Sequence, residues 1–181
     1  MPTQYFVYSG LINQAAVNSF TSALIGTIDD QSITDITIAL STGGDGVTEG
    51  IALYNIIKSN PKPVTIHGLG NVDSIGITLM LAAKTRLAVE ASRFFFHPLG
   101  FETGPARYDV ATLTAKLAAL TSDQNRLKAI YKANAKISDG EIDDLFLHEY
   151  MHDNDWAAAH GFISEQKAFT IPALARIKNL G

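Results

Sequence analysis

Ser74 and His97 are the residues whose types and surroundings point most directly to chemistry. A serine hydroxyl beside an imidazole is an acyl-transfer nucleophile: the histidine takes the hydroxyl proton and later returns it to a leaving amine. Ser74 lies where the β-rich run Val64–Leu69, bounded by Pro63 and Gly70, hands over to Ile75–Ala83, a segment of helix formers and small residues. At such a junction the unpaired N–H groups of the first helical turn favour negative charge near the hydroxyl. The competing account is that Ser74 only caps the helix, closing the start signal Asn71-Val72-Asp73-Ser74. His97 follows Phe94-Phe95-Phe96 and precedes Pro98 and Gly100, at the end of an apolar strand where the chain turns to the surface. Its competing account is a core histidine bonded to a backbone carbonyl.

Two further stretches carry chemical signals. Ser41-Thr42-Gly43-Gly44-Asp45-Gly46 is a glycine turn whose N–H groups can approach a ligand closely, to hold a phosphate or an oxyanion. A phosphate loop fits poorly, because Val47-Thr48-Glu49 stands where a Gly-Lys-Ser/Thr ending is required. His148-Glu149-Tyr150-Met151-His152 satisfies H-E-x-x-H, in which two histidines one helical turn apart bind zinc and the glutamate acts as base. That pattern needs a firm helix and a third ligand. Asp153-Asn154-Asp155 interrupts it, Ala158 stands where the extended motif has a histidine, and His160 and Glu165 are at unsuitable spacing. No metal and no cofactor is therefore expected.

The elements that must position these residues repeat one plan. Gln4–Tyr8 reads as a strand, Ser9-Gly10 as a turn, and Asn13–Ile28 as a helix capped by Asn13. Asp35–Leu40 is a β-branched strand, followed by the glycine turn and a helix over Val47–Lys58 that Pro61 and Pro63 close off. The third unit is the strand and helix around Ser74. A fourth runs from Arg86 through Phe96 into a long helical pattern over Tyr108–Ala135. Strand, glycine turn and helix in alternation predict an α/β fold with its active turns along one sheet edge. After Gln166 the pattern predicts a last strand over Lys167–Ile171 and a short helix after Pro172.

Composition bounds the function class. The chain has 181 residues, 46% of them hydrophobic, which suits one domain over 1–181 with a sizeable core. A net charge of −4 with no basic block argues against nucleic acid or an anionic membrane as partner. Ile75–Ala83 is too short to cross a bilayer, and Met1–Ala16 lacks the features of a secretory leader, so a cytoplasmic protein is expected. The absence of cysteine excludes disulfides and thiol catalysis.

The order Ser41-Thr42-Gly43-Gly44, Gly50-Ile51-Ala52-Leu53-Tyr54, Gly70-Asn71-Val72-Asp73-Ser74-Ile75-Gly76 and Phe96-His97-Pro98-Leu99-Gly100 resembles the proteolytic subunits of the Clp protease, the ClpP family of serine peptidases with a crotonase-like fold. The likeness runs from about Asp35 to about Glu165. It implies a spiral of repeated β-β-α units with a projecting handle helix over about 107–135, and a triad in chain order: Ser74 as nucleophile, His97 as base, then an acid. It also implies an oxyanion hole from the N–H groups of Gly44 and Ile75. The family's glycine pair usually follows Ser-Pro, and here Thr42 and an extra residue near Asp45-Gly46 allow the donor to shift to Asp45 or Gly46. Counting back from His160-Gly161-Phe162-Ile163 places the third member at Glu149, where the family has aspartate, with Asp144 and Asp153 as alternatives.

The apolar stripe Val110, Leu113, Leu117, Leu120, Leu127 and Ile130 suits either a helix packed on its own sheet or the family's handle, which stacks rings face to face. Homo-oligomeric rings are implied. Little sequence precedes Gln4 to form the loops that engage an ATP-driven unfoldase, so work without that partner, or a different docking, is expected. The resemblance implies a peptide or unfolded chain as substrate, and Ile75, Phe96 and Leu99 would favour an apolar side chain if they line its pocket. Two other classes share the fold: a catalytically idle ring subunit, and an acyl-CoA enzyme that polarises a thioester with paired N–H groups and needs no serine.

Overall fold

The structure is a computed structural model describing residues 2–101, 104–105 and 107–181. Its elements are β1 (Thr3–Ser9), α1 (Gln14–Ile28), β2 (Asp35–Thr42), α2 (Val47–Lys58), β3 (Val64–Val72), α3 (Ile75–Met80), β4 (Thr85–Ala88), β5 (Phe94–Phe96), α4 (Val110–Asn134), α5 (Asp139–Leu145), β6 (Tyr150–His152), α6 (Asn154–Ala159), β7 (Glu165–Gln166) and β8 (Arg176–Asn179). Six strands form one parallel sheet in the order β7-β4-β3-β2-β1-β8, and β5 pairs with β6 apart from it. This is the α/β alternation expected from the sequence.

Local chemistry explains most boundaries. Asn13 caps α1, its side chain accepting from the Ala16 N–H at 3.1 Å. The central strand β2 buries Ile36, Ile38, Ala39 and Leu40 to 0–1% exposure, an alternating β-branched start that becomes the continuous apolar run Ile38-Ala39-Leu40 where both faces are covered. Buried side chains of α1, α2 and α3 join those of the sheet in one core. The register between β2 and β3 shifts between Leu40 and Thr42, where the strands leave the regular sheet beside the glycine turn.

Some boundaries differ from expectation. The run from Arg86 to Phe96 is two strands, β4 in the sheet and β5 outside it. Only Glu165–Gln166 pairs with β4, whose ladder ends at Ala88; the Lys167 N–H still donates to the Ala88 carbonyl at 2.8 Å, but the chain then runs past the end of β4 and Lys167–Ile171 is not a strand. Instead Phe169 rests edge-on against Tyr5 and His67. The last strand is β8, on the open side of β1, and the residues after Pro172 turn without forming a helix.

Helix α4 has 25 residues and spans about 37 Å at 1.5 Å per residue. Only Leu127 and Tyr131 of it are buried, while Val110, Leu113 and Leu117 are exposed. Its apolar stripe therefore packs on the core only at Leu127 and Ile130. The C-terminal half packs and the N-terminal half projects.

Candidate active site

Ser74 is held at the end of β3 with φ 56° and ψ −127°, a left-handed conformation that costs a side chain about 1–3 kcal/mol. Its surroundings enforce that turn. The Ser74 N–H donates to the Phe95 carbonyl at 2.8 Å, Asp73 N–H to the Thr42 carbonyl at 3.0 Å, and Gly76 N–H to the Asp73 carbonyl at 2.9 Å. The elbow is thus tied at once to β2, β5 and its own helix. Behind it α2 approaches so closely that a Cβ on Gly50 would lie 2.0 Å from Ile75 Cγ1. The Ser74 side chain makes no capping bond. The hydroxyl faces outward from a strained strand-to-helix turn, an arrangement that presents a nucleophile.

His97 arrives by extension of the same hydrogen bonding. Beyond the main sheet, the Val72 N–H donates to the Arg93 carbonyl at 3.0 Å and the Arg93 N–H to the Gly70 carbonyl at 3.1 Å, laying residues 93–97 alongside the elbow. The His97 ring stacks on Phe95 at 5.5 Å, and its Nε2 lies 2.7 Å from Ser74 Oγ. That is hydrogen-bond distance for a base to receive the hydroxyl proton. Its Nδ1 is bonded at 2.8 Å to the Pro98 carbonyl, which makes Nδ1 the protonated nitrogen and leaves Nε2 as the acceptor.

None of the three carboxylates considered for the third position bonds this imidazole. Asp144 accepts from His148 at 3.0 Å and from the Tyr150 hydroxyl at 2.7 Å, and Asp153 caps α6 through the Trp156 N–H. Glu149 is exposed and immediately precedes β6. Pairing of β5 with β6 matches Phe94 to His152, Phe95 to Met151 and Phe96 to Tyr150, so one more antiparallel step sets Glu149 across from His97. The H-E-x-x-H stretch is a turn and a strand here, so its histidines are not one helical turn apart. His152 stacks instead on Trp156, with ring centroids 3.7 Å apart.

Gly44 lies directly against Ser74: a Cβ there would sit 2.6 Å from the serine Cβ and 3.1 Å from its Oγ. It has φ +92° and is followed by Asp45 at φ 122°, a turn that fits glycine at the first position. Its N–H donates to Thr42 Oγ1 at 3.0 Å. The Gly46 N–H donates to the Ile12 carbonyl at 2.9 Å. Ile75 is the first residue of α3, where a backbone N–H has no partner within the helix.

Three features had no usable sequence signal. The Pro98 carbonyl is one. The second is the far wall of a narrow cleft of about 20 Å³ beside Ser74 and His97: Ile75, Phe96 and Leu99 line it as expected, and Tyr131, Leu145 and Phe146 from α4 and the α5 end, which no local pattern indicated, complete it. That volume admits about one water molecule. The third is Asp73, next to the nucleophile: it is 6% exposed, its Oδ1 has no partner, and Arg93 stands 3.8 Å from its Oδ2. Burial raises its carboxyl pKa, against the opposing pull of Arg93, the Phe95 N–H and His97.

Comparison with known proteins identifies the family and the fold. The sequence model of the family described as Clp protease matches residues 3–166. The ATP-dependent Clp protease proteolytic subunit 1 of Mycobacterium leprae (strain TN) is 26% identical over 122 residues, 65% of this chain and 60% of that protein. Proteolytic subunit 2 of Treponema pallidum (strain Nichols) is 29% identical over 127 residues, 68% of this chain and 61% of that protein. The match thus spans about three fifths of the length of these relatives. A solved structure of a ClpP1 mutant from Listeria monocytogenes has a TM-score of 0.80 at 21% identity over 92% of both chains, and so shares the fold. With residues 3–166 covered by the family model and the ClpP fold in place, this chain belongs to the Clp protease family.

Proposed function

We propose that the chain is a serine endopeptidase acting on peptides or unfolded proteins, with Ser74 as nucleophile, His97 as general base and Glu149 as the acid that orients it. The observation that carries this is the 2.7 Å contact of His97 Nε2 with a Ser74 hydroxyl that the strained elbow turns away from capping. As Ser74 Oγ bonds to a peptide carbonyl carbon, its proton passes to Nε2. The carbonyl oxygen becomes an oxyanion, for which the N–H groups of Ile75 and Gly44 are the donors. Collapse breaks the C–N bond as Nε2 protonates the departing amine, and water repeats the sequence on the acyl-enzyme. The apolar cleft at Phe96 and Leu99 supports preference for an apolar side chain before the scissile bond, and its small volume requires it to open on binding.

Homo-oligomeric rings belong to this reading. Val110 and Leu117 are 81% and 65% exposed on the projecting half of α4, apolar surface that a second copy would cover. The rival reading is an idle ring subunit, favoured by the Pro98 carbonyl occupying Nδ1 while Glu149 stands in solvent. Intact-mass labelling with a fluorophosphonate separates them. One adduct on the unaltered protein, lost in Ser74→Ala and slowed in His97→Ala, is the expected result. A folded oligomer that takes up no label overturns the peptidase reading.

A further inference from the structure

We infer that Thr42 holds the oxyanion hole closed in the resting protein by occupying the Gly44 N–H, so that its hydroxyl competes with the substrate's developing oxyanion for that donor. The inference rests on the serine-peptidase reading above. Thr42 Oγ1 accepts from Gly44 N at 3.0 Å, an internal turn closed two residues on by a side chain instead of a carbonyl. Gly44 is the residue in contact with Ser74, so the captured donor belongs to the reaction centre and not to a distant loop.

The hydroxyl cannot easily swing away. Thr42 is 3% exposed, at the register shift where β2 meets the end of β3, and its carbonyl accepts from Asp73 N–H at 3.0 Å. Its methyl lies under α3, where a Cβ on Gly76 would fall 2.3 Å from Thr42 Cγ2. A β-branched side chain pinned at both its backbone and its methyl has one usable rotamer. Release therefore falls to the Gly43-Gly44 peptide, which must rotate for the N–H to reach an oxyanion. Thr42 is in this sense a positioning residue: it acts through Gly44, its effect falls on the transition state, and substrate binding in the cleft is untouched.

The test compares peptide hydrolysis by the unaltered protein with Thr42→Val, Thr42→Ser and Thr42→Ala. Valine keeps the shape and deletes the acceptor, whereas serine keeps the acceptor. The expected result is a rise in kcat of roughly five- to tenfold for Thr42→Val with KM unchanged, from loss of one competing neutral hydrogen bond. Thr42→Ser then stays at the unaltered rate, and Thr42→Ala, which needs no methyl packing, rises like valine. A folded Thr42→Val or Thr42→Ala no faster than the unaltered protein overturns the inference, as does a rise in Thr42→Ser equal to that in valine. If the substitutions disturb folding, the structure of the unaltered protein's phosphonate adduct decides. Gly44 N within 3.2 Å of the phosphoryl oxygen and detached from Thr42 supports the inference; Gly44 N still on Thr42 overturns it. Failure of the parent reading looks different: no hydrolysis and no adduct in any of the proteins.

Discussion

Strand β5 has two neighbours, and they deliver their functional residues to His97 in different condition. On one side the end of β3 brings Ser74, locked by backbone bonds to β5 and backed by the close contact of Gly50 with Ile75. On the other, the three-residue β6 brings Glu149 only as far as the right register, with its side chain in solvent. The difference follows from what each neighbour is packed on. The elbow stands on buried parallel strands whose side chains leave no room for adjustment. Glu149 stands on a short segment after α5, where Leu147 and Met151 on either side of it are also exposed. On the proposed peptidase reading, this pairs a rigid Ser74–His97 couple with a loosely held Glu149, and that asymmetry is what substitution can test.

The largest expected effect lies on the rigid side. Ser74→Ala abolishes peptide hydrolysis, and His97→Ala lowers kcat by on the order of 10³ or more, as measured by initial rates on a fluorogenic peptide. On the loose side, Glu149→Ala lowers kcat by only about ten- to a hundredfold, because the Pro98 carbonyl already orients Nδ1. A loss as large as that of His97→Ala breaks the comparison, since it means that Glu149 is fully engaged during turnover.

Gly50→Ala tests the rigidity without touching the reacting atoms. Its new methyl must displace Ile75, so it lowers stability by about 1–3 kcal/mol in denaturant melts and slows fluorophosphonate labelling. Unchanged labelling in a destabilised Gly50→Ala protein means that the elbow tolerates movement.

The smallest effect is a pH dependence on the β6 side. Burial against Trp156 and the nearby His160 lower the pKa of His152, opposed by Asp153. The unfolded chain therefore binds this proton more readily than the folded one. Stability is fully present above the ordinary histidine value of 6.5 and falls as pH drops below it. Thermal melts from neutral to mildly acidic pH show this decline in the unaltered protein and a flatter one in His152→Phe, with Trp156, the chain's only tryptophan, as fluorescent reporter. Equal pH slopes place the acid sensitivity outside β6.

The two regions were also unequally legible. Helix α2 matches the expected span Val47–Lys58, and Asn13 caps α1 as its type predicts, because adjacent residues set these features. The expected strand over Lys167–Ile171 failed for the opposite reason: a strand needs a neighbour, and no local pattern states that β4 ends at Ala88. Likewise the long helix was evident in sequence, but its apolar stripe looked the same whether it faced a sheet or projected free.

For the site, the sequence by itself singled out the residues that the fold brings together: a serine at a strand-to-helix turn, a histidine at an apolar strand end, and a glycine turn before α2. Residue type and local order are enough for that. Only the tertiary structure decided how they connect. It set Nε2 on Ser74, gave Nδ1 to a backbone carbonyl, gave the Gly44 N–H to Thr42 and left Glu149 in solvent. Each of these is a choice of hydrogen-bond partner. Such choices turn on fractions of an ångström between segments that only the packing of α2, α3 and β5 against the sheet brings together.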